Sequence, residues 1–133
     1  MKEYPFDVQA LLAAAINVRQ HSYSPYSKFK VGAALLTDTN EVFVGTNVEN
    51  ASFGLTCCAE RTAVGAAVSA GHTRFLAIAI AATPLCPPCG TCRQFLVEFC
   101  EDLPIFMIDP EKPGEIIERQ LAVLFPDRFQ LPN

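Results

Sequence analysis

The chain has 133 residues, half of them apolar and only 18% charged, with a formal net charge of -4. That length suits one domain with a real core, expected over residues 1–133, and the acidic balance excludes a basic footprint for nucleic acid. No membrane span is expected, because the longest apolar run, Phe75 to Ala82, is far too short.

In chain order, VQALLAAAINVR is alanine- and leucine-rich at helical spacing, giving a helix from Asp7 to Arg19. HSYSPYS breaks it as loop. KVGAALL and EVFVGTNV, separated by TDTN, read as a β-hairpin. Thr56 can cap a second helix running to about Ala70, with Gly71 as its stop. Its small residues, Ala59, Ala63, Gly65, Ala66, Ala67 and Ala70, suit close burial, here expected at a subunit junction. FLAIAIAA has the continuous apolar pattern of a strand buried on both faces. After Pro84, Pro87 and Pro88, a third helix is expected to start near Cys89 and run through RQFLVEFC. PIFMID is another buried strand, and EIIERQLAVLF is expected to close the chain with a short helix before an aromatic tail. This alternation implies an α/β layer fold with helices on both sides of a sheet.

The opening MKEYPFDVQ is polar and acidic and does not read as a signal peptide. Six cysteines are therefore expected in a reducing, cytoplasmic setting, where spaced cysteines more often bind metal or act as redox groups than form disulfides. They stand at 57, 58, 86, 89, 92 and 100. CPPCGTC contains two overlapping C-x-x-C pairs, Cys86/Cys89 and Cys89/Cys92. The second falls in the first turn of a helix, where residues three apart share a face. Cys58 stands at the start of another helix. Two positive helix ends aimed at one point would help hold three thiolates around a dication.

Glu60 changes the meaning of this cluster. A structural zinc site has no use for a nearby acid, whereas a hydrolytic one needs a proton carrier beside its water. Zinc nucleobase deaminases carry a ligand-x-Glu segment and, downstream, P-C-x-x-C. Cys58-Ala59-Glu60 fits the first and Pro88-Cys89-Gly90-Thr91-Cys92 the second. Cys57 and Cys86 match neither, and Cys57 reads as a small buried apolar residue. Residues two apart on a helix point to different sides, so Cys58 and Glu60 share a site only if Cys58 lies at the very helix end. Zinc with three thiolates carries a net negative charge, and Arg61 is expected to compensate by hydrogen-bonding a ligand thiolate. Two rivals stand beside this reading. C-P-P-C between an apolar strand and a helix is a fair thiol redox pattern, and four cysteines could close a structural zinc site.

With those residues in place, the sequence resembles the cytidine deaminases of the small, homotetrameric, three-cysteine type. The resemblance runs from about Ala10 to Phe129 and includes SPYSKFKVGAALL, GTNVENASFG, CAERTA and PCGTCRQ in order. It implies a three-layer α/β/α fold with a mixed five-stranded sheet and helices on both faces. It further implies one Zn2+ per subunit on Cys58, Cys89 and Cys92, with Glu60 as catalytic proton shuttle. Asn47 and Glu49 would bind the ribose hydroxyls. In an extended segment they share a side, with Val48 expected to turn inward. Phe29 would stack on the pyrimidine, Ala59 would line the substrate, and Phe129 would reach a neighbouring subunit's site. Gln94 would support the zinc environment. The implied activity is hydrolytic deamination of cytidine and deoxycytidine in pyrimidine salvage, by a homotetramer with shared active sites. A deaminase of a cytosine-bearing antibiotic such as blasticidin S shares the metal motifs, but SPYSKF and NVENA favour the nucleoside. Phe53 stands where many relatives have tyrosine, the TPLCPPCG loop is compressed, and Cys86 is an added thiol.

Overall fold

The structure, a computed structural model, describes residues 3–132. Met1, Lys2 and Asn133, which belong to the expected 1–133 domain and, for the first two, to the polar opening, lie outside the described residues. Helix α1 (Val8–Arg19) starts where its sequence says it should. The Asp7 carboxylate accepts from the Ala10 N–H at 3.0 Å, satisfying one of the donors that a helix start leaves open. Strands β1 (Val31–Thr37) and β2 (Val42–Thr46) form the expected antiparallel hairpin. Strand β3 (Phe75–Ala82) pairs antiparallel with β1 and parallel with β4 (Pro104–Ile108).

The last stretch departs from the expected short helix. Ile117–Gln120 forms strand β5, antiparallel to β4, and only Leu121–Leu124 is helical, as α4. Without β5, β4 would be an edge with unpaired backbone groups, and covering that edge outweighs the local helical pattern. The sheet order is β2-β1-β3-β4-β5.

Helices α2 (Ala59–Ser69) and α3 (Gly90–Val97) complete the layers. One face of β3 presents Ile78 and Ile80 to a core shared with Ala59, Ala63, Ala67, Leu96 and Val97. The other presents Ala77, Ala79 and Ala81 to Leu11, Leu12 and Ala15 of α1. The three-layer arrangement of the implied fold is thus met. Burying side chains such as Leu11 and Leu12 contributes about 1.5–3 kcal/mol each. Two glycines permit the layers to close. A Cβ at Gly32 would lie 2.1 Å from the Ala15 carbonyl oxygen. One at Gly45 would lie 2.4 Å from Ala63 N and 2.7 Å from Ala59 O, so the β2 backbone presses directly on the opening turns of α2.

The start of α2 corrects the expected Thr56 cap. Cys57 and Val48 exchange both backbone hydrogen bonds at 2.9 Å, which keeps the chain extended through residue 57. Helical geometry can begin only afterwards, so the N-cap is Cys58, with φ -72° and ψ 153°. The same pairing corrects the orientation of Val48, which faces outward while Asn47 is buried. At the other end Gly71 has φ 94°. The Gly71 N–H bonds Val68 O and the His72 N–H bonds Ala67 O, both at 2.9 Å, a two-bond C-terminal stop. Helix α3 ends at Val97, short of the expected Cys100.

Candidate metal centre and substrate cavity

Two helix starts converge on one point. Cys58 is the N-cap of α2 and Cys89 the N-cap of α3, and neither makes a side-chain capping bond. Cys92 lies in the first turn of α3, fully buried. The Cys58 and Cys89 sulfurs are 3.6 Å apart, Cys89 and Cys92 3.5 Å, and all three lie within 4.8 Å of one another. Tetrahedral zinc with Zn–S bonds of about 2.3 Å separates its sulfurs by roughly 3.8 Å, so this donor set fits that ion. Among the described residues it is the one such cluster, and neither Cys57 nor Cys86 joins it. A four-sulfur structural site is therefore not formed. Cys57 is half-buried instead of enclosed, and its sulfur accepts from the Thr62 hydroxyl at 3.4 Å.

The cluster already favours negative charge. A hydrogen bond with Cys92 lowers the Cys58 thiol well below its ordinary range; burial opposes this, and Cys89 and Arg61 add to it. The partner thiol, Cys92, is pushed up by the same hydrogen bond and by burial. Three sulfurs holding a thiolate offer what a dication collects. Arg61 directs Nη2 to the Thr56 carbonyl at 2.8 Å, and its guanidinium charge acts on Cys57, Cys58 and Cys92. Its buried Nε has no hydrogen-bond partner among the described residues.

Beside the sulfurs lies a cavity of about 190 Å3, lined by Phe29, Asn47, Ala59, Glu60, Ile80 and Cys86 among others, with Cys58 and Cys89 on its wall. Glu60 is only 6% exposed. Burial raises its carboxyl above the ordinary range, and the Cys58 charge adds to this. Because Cys58 precedes the first helical residue, Cys58 and Glu60 reach one cavity in spite of their spacing. Asn47 is clamped from several sides. Its Nδ2 donates to Phe29 O at 2.7 Å, and its Oδ1 accepts from Val31 N at 3.0 Å and from the Ser22 hydroxyl. One amide hydrogen is left for a ligand.

Glu49 lines an adjoining groove with Tyr26, Ser27, Asn50, Phe53 and Thr56, the last shared with the first cavity. Its carboxylate accepts from the Tyr26 and Ser27 N–H groups at 3.0 and 3.1 Å and from the Ser27 hydroxyl. The hydroxyl bond is the main reason its pKa lies below the usual range. Gln94 and Phe129 lie apart from the sulfurs within one chain. Gln94 Nε2 donates to Phe129 O at 3.2 Å, and the two line a separate groove.

Spacing arguments do not single out Ser22, Ser27, Thr62 or Arg93, yet each positions a site residue. Thr62 donates to the Cys58 carbonyl at 3.2 Å. Arg93 ties Pro88 O to Leu124 O through two 2.8 Å bonds, fixing the loop before Cys89. The signal available in sequence was local polarity: serines crowded into HSYSPYS, and an arginine directly after the last ligand candidate.

Three clustered thiols at two helix starts, with the buried Glu60 of α2 lining the cavity beside them, give this α/β/α protein a donor set that could hold zinc next to a proton carrier. The pattern described as the cytidine and deoxycytidylate deaminase zinc-binding region matches residues 6–107. The chain is 43% identical over 126 residues to a cytidine deaminase of Sporosarcina psychrophila, covering 92% of this chain and 91% of that one. It is 45% identical over 127 residues to a cytidine deaminase of Halalkalibacterium halodurans, covering 92% and 94%. The crystal structure of cytidine deaminase from Burkholderia pseudomallei superposes with a TM-score of 0.87 at 42% identity, covering 93% of this chain and all of that one. The chain belongs to the cytidine and deoxycytidylate deaminase family. No helix among the described residues is long and apolar enough to cross a membrane.

Proposed function

We propose that the chain deaminates cytidine and deoxycytidine hydrolytically, giving uridine or deoxyuridine and ammonia. The observation that carries this is a carboxylate only 6% exposed, lining the same cavity as two members of a three-sulfur cluster. Cys58, Cys89 and Cys92 would hold zinc, which supplies the Lewis acidity that makes water a nucleophile near neutral pH. Glu60 takes a proton from the water that attacks C4 and delivers it to ring N3. It then takes the proton of the new C4 hydroxyl and passes it to the amine; C4=O forms as the C4–N bond breaks, so one water enters and one ammonia departs. The raised affinity of Glu60 for its proton suits a group that must both accept and return one.

The remaining side chains orient the substrate. Phe29, on the cavity wall, stacks on the pyrimidine, and Ala59 leaves room for the ring. The free Asn47 amide hydrogen and the remaining lone pair of Glu49 meet the ribose hydroxyls. Glu49 would also repel a phosphate, so cytidine is turned over better than its monophosphate. Arg61 balances the charge of the three thiolates, and Gln94 supports the α3 side of the centre.

The working unit is a homotetramer with sites shared between subunits. Supporting this are exposed apolar side chains on a single chain, including Phe53, Leu55, Phe129 and Leu131, at 82%, 69%, 65% and 80% exposure. Phe129 then reaches across a junction to a neighbour's cavity. The six free cysteines suit the reducing cytoplasm. The test is the loss of the cytidine absorbance band on adding purified protein, with metal analysis in parallel. One zinc per chain and turnover abolished by a chelator are expected; a zinc-loaded protein that leaves cytidine unchanged overturns the reading.

A further inference from the structure

Cys86 is the thiol that the proposed reaction does not use. It stands three residues before Cys89, across Pro87 and Pro88, and lines the same cavity as Cys89 and Cys58. It is outside the three-sulfur cluster, half-buried, whereas Cys89 is the exposed member of that cluster. One cavity is therefore lined both by a sulfur outside the cluster and by a cluster sulfur that solvent can reach. The pair also sits on a loop bounded by prolines and fixed from below by the Arg93 bond to Pro88 O.

We propose that Cys86 and Cys89 form a reversible disulfide that switches the metal centre off under peroxide. This rests on the reading of Cys89 as a zinc ligand. The Cys89 thiolate attacks the peroxide O–O bond; an S–O bond forms, the O–O bond breaks, and one oxygen leaves as hydroxide that takes a proton from solvent to become water, giving a sulfenic acid. The Cys86 sulfur then attacks the Cys89 sulfur. The S–S bond forms, the S–O bond breaks, and the Cys86 proton leaves with the second oxygen as another water. One thiolate and one thiol give up two electrons, and with one proton from solvent the peroxide becomes two waters. With Cys89 committed to the disulfide, only Cys58 and Cys92 remain as donors, too few for a closed or catalytic zinc set. Cys86 also protects: a sulfenic acid captured as a disulfide does not proceed to the irreversible acids.

The test treats zinc-loaded protein with a few equivalents of hydrogen peroxide. It follows zinc release with a chromogenic chelator and maps disulfides by mass spectrometry of non-reduced peptides. The expected result is a Cys86–Cys89 bond appearing with zinc release, and recovery of zinc binding on adding dithiothreitol and zinc. In Cys86→Ser that bond is absent, and recovery after dithiothreitol drops by about tenfold as Cys89 runs on to sulfinic and sulfonic acids. A disulfide joining Cys89 to Cys58 or Cys92 instead, or equal recovery in Cys86→Ser and the parent, overturns the proposal. Absence of zinc from the untreated protein would sink the ligand reading on its own. Zinc present without a Cys86–Cys89 bond would sink only the switch.

Discussion

The start of α1 and the starts of α2 and α3 carry opposite chemistry at the same helical position. At α1, Asp7 caps the helix with a carboxylate bonded to Ala10 N. At α2 and α3 the N-cap residues are Cys58 and Cys89, which cap nothing. A good cap contributes about 1 kcal/mol, and these two helices go without it. All three helix ends still present positive partial charge. One of them uses it to hold its own carboxylate, and the other two aim it at sulfur. The difference teaches where the chain builds stability and where it builds a reactive centre: α1 covers the sheet face away from the sulfurs, and α2 and α3 share the other.

The largest test of that contrast is Glu60→Gln. Loss of a general acid–base group lowers kcat by about a hundred- to ten-thousandfold. Zinc content should be retained, and the thermal midpoint should not fall, because a neutral amide replaces a buried carboxylate. A variant within tenfold of the parent would make Glu60 an ordinary first-turn acid, no different in kind from Asp7. Next in size is Cys58→Asn. Asparagine is a strong N-cap residue, so the zinc-free chain should gain about 0.5–1 kcal/mol in denaturant titration. Metal analysis after dialysis should find the zinc gone. A zinc-free chain that loses stability instead would mean that Cys58 serves packing.

These helix starts also mark how far the sequence could be read. The amphipathic α1, the hairpin and the two buried strands follow from composition and period, because each is decided by its own residues. That Cys58, Cys89 and Cys92 would cluster, with Glu60 beside them, was legible because their spacing answers to one metal geometry. What was not legible depends on partners remote in the chain. The start of α2 moves from Thr56 to Cys58 because Val48 holds Cys57 in an extended pair. Strand β5 forms because β4 needs a neighbour. Ser27 matters only because folding brings it to Glu49, 22 residues away. Val48 faces outward on a single chain, a position that alternation alone assigns to the wrong side.

Glu49 gives a smaller effect and a pH dependence. Its pKa is held below the usual carboxylate range, chiefly by the Ser27 hydroxyl, with the Ser27 and Tyr26 N–H groups and Lys28 adding to it. A depressed carboxylate keeps its charge above that range and loses it only as pH falls through the lowered value. If Glu49 binds the ribose, KM should stay flat from about pH 8 to 5 and rise only below about pH 4. Glu49→Gln should raise KM about tenfold through the loss of one charged hydrogen bond and remove the acid limb. A rise in KM that begins near pH 6 would assign substrate binding to another group. Here an acid held by a loop is set against Asp7, an acid held by a helix: both are fixed by N–H donors, but Glu49 faces the groove that adjoins the sulfur cavity, and Asp7 a separate one beside α1.

The smallest expected effect completes the contrast. Asp7→Ala removes the bond to Ala10 N and should destabilise the protein by about 0.5–2 kcal/mol, measured by denaturant midpoint. The loss is confined to α1, whose buried Leu11, Leu12 and Ala15 pack on the alanine face of β3. That face is separated from the sulfurs by the thickness of the sheet, so zinc content, kcat and KM should remain at parental values. The sheet transmits little, since Ala77, Ala79 and Ala81 are fixed by pairing with β1 and need no support from a helix cap to stay in register. A drop in kcat with intact zinc would show that the two faces are coupled through β3. The division between a stabilising helix start and two reactive ones would then fail.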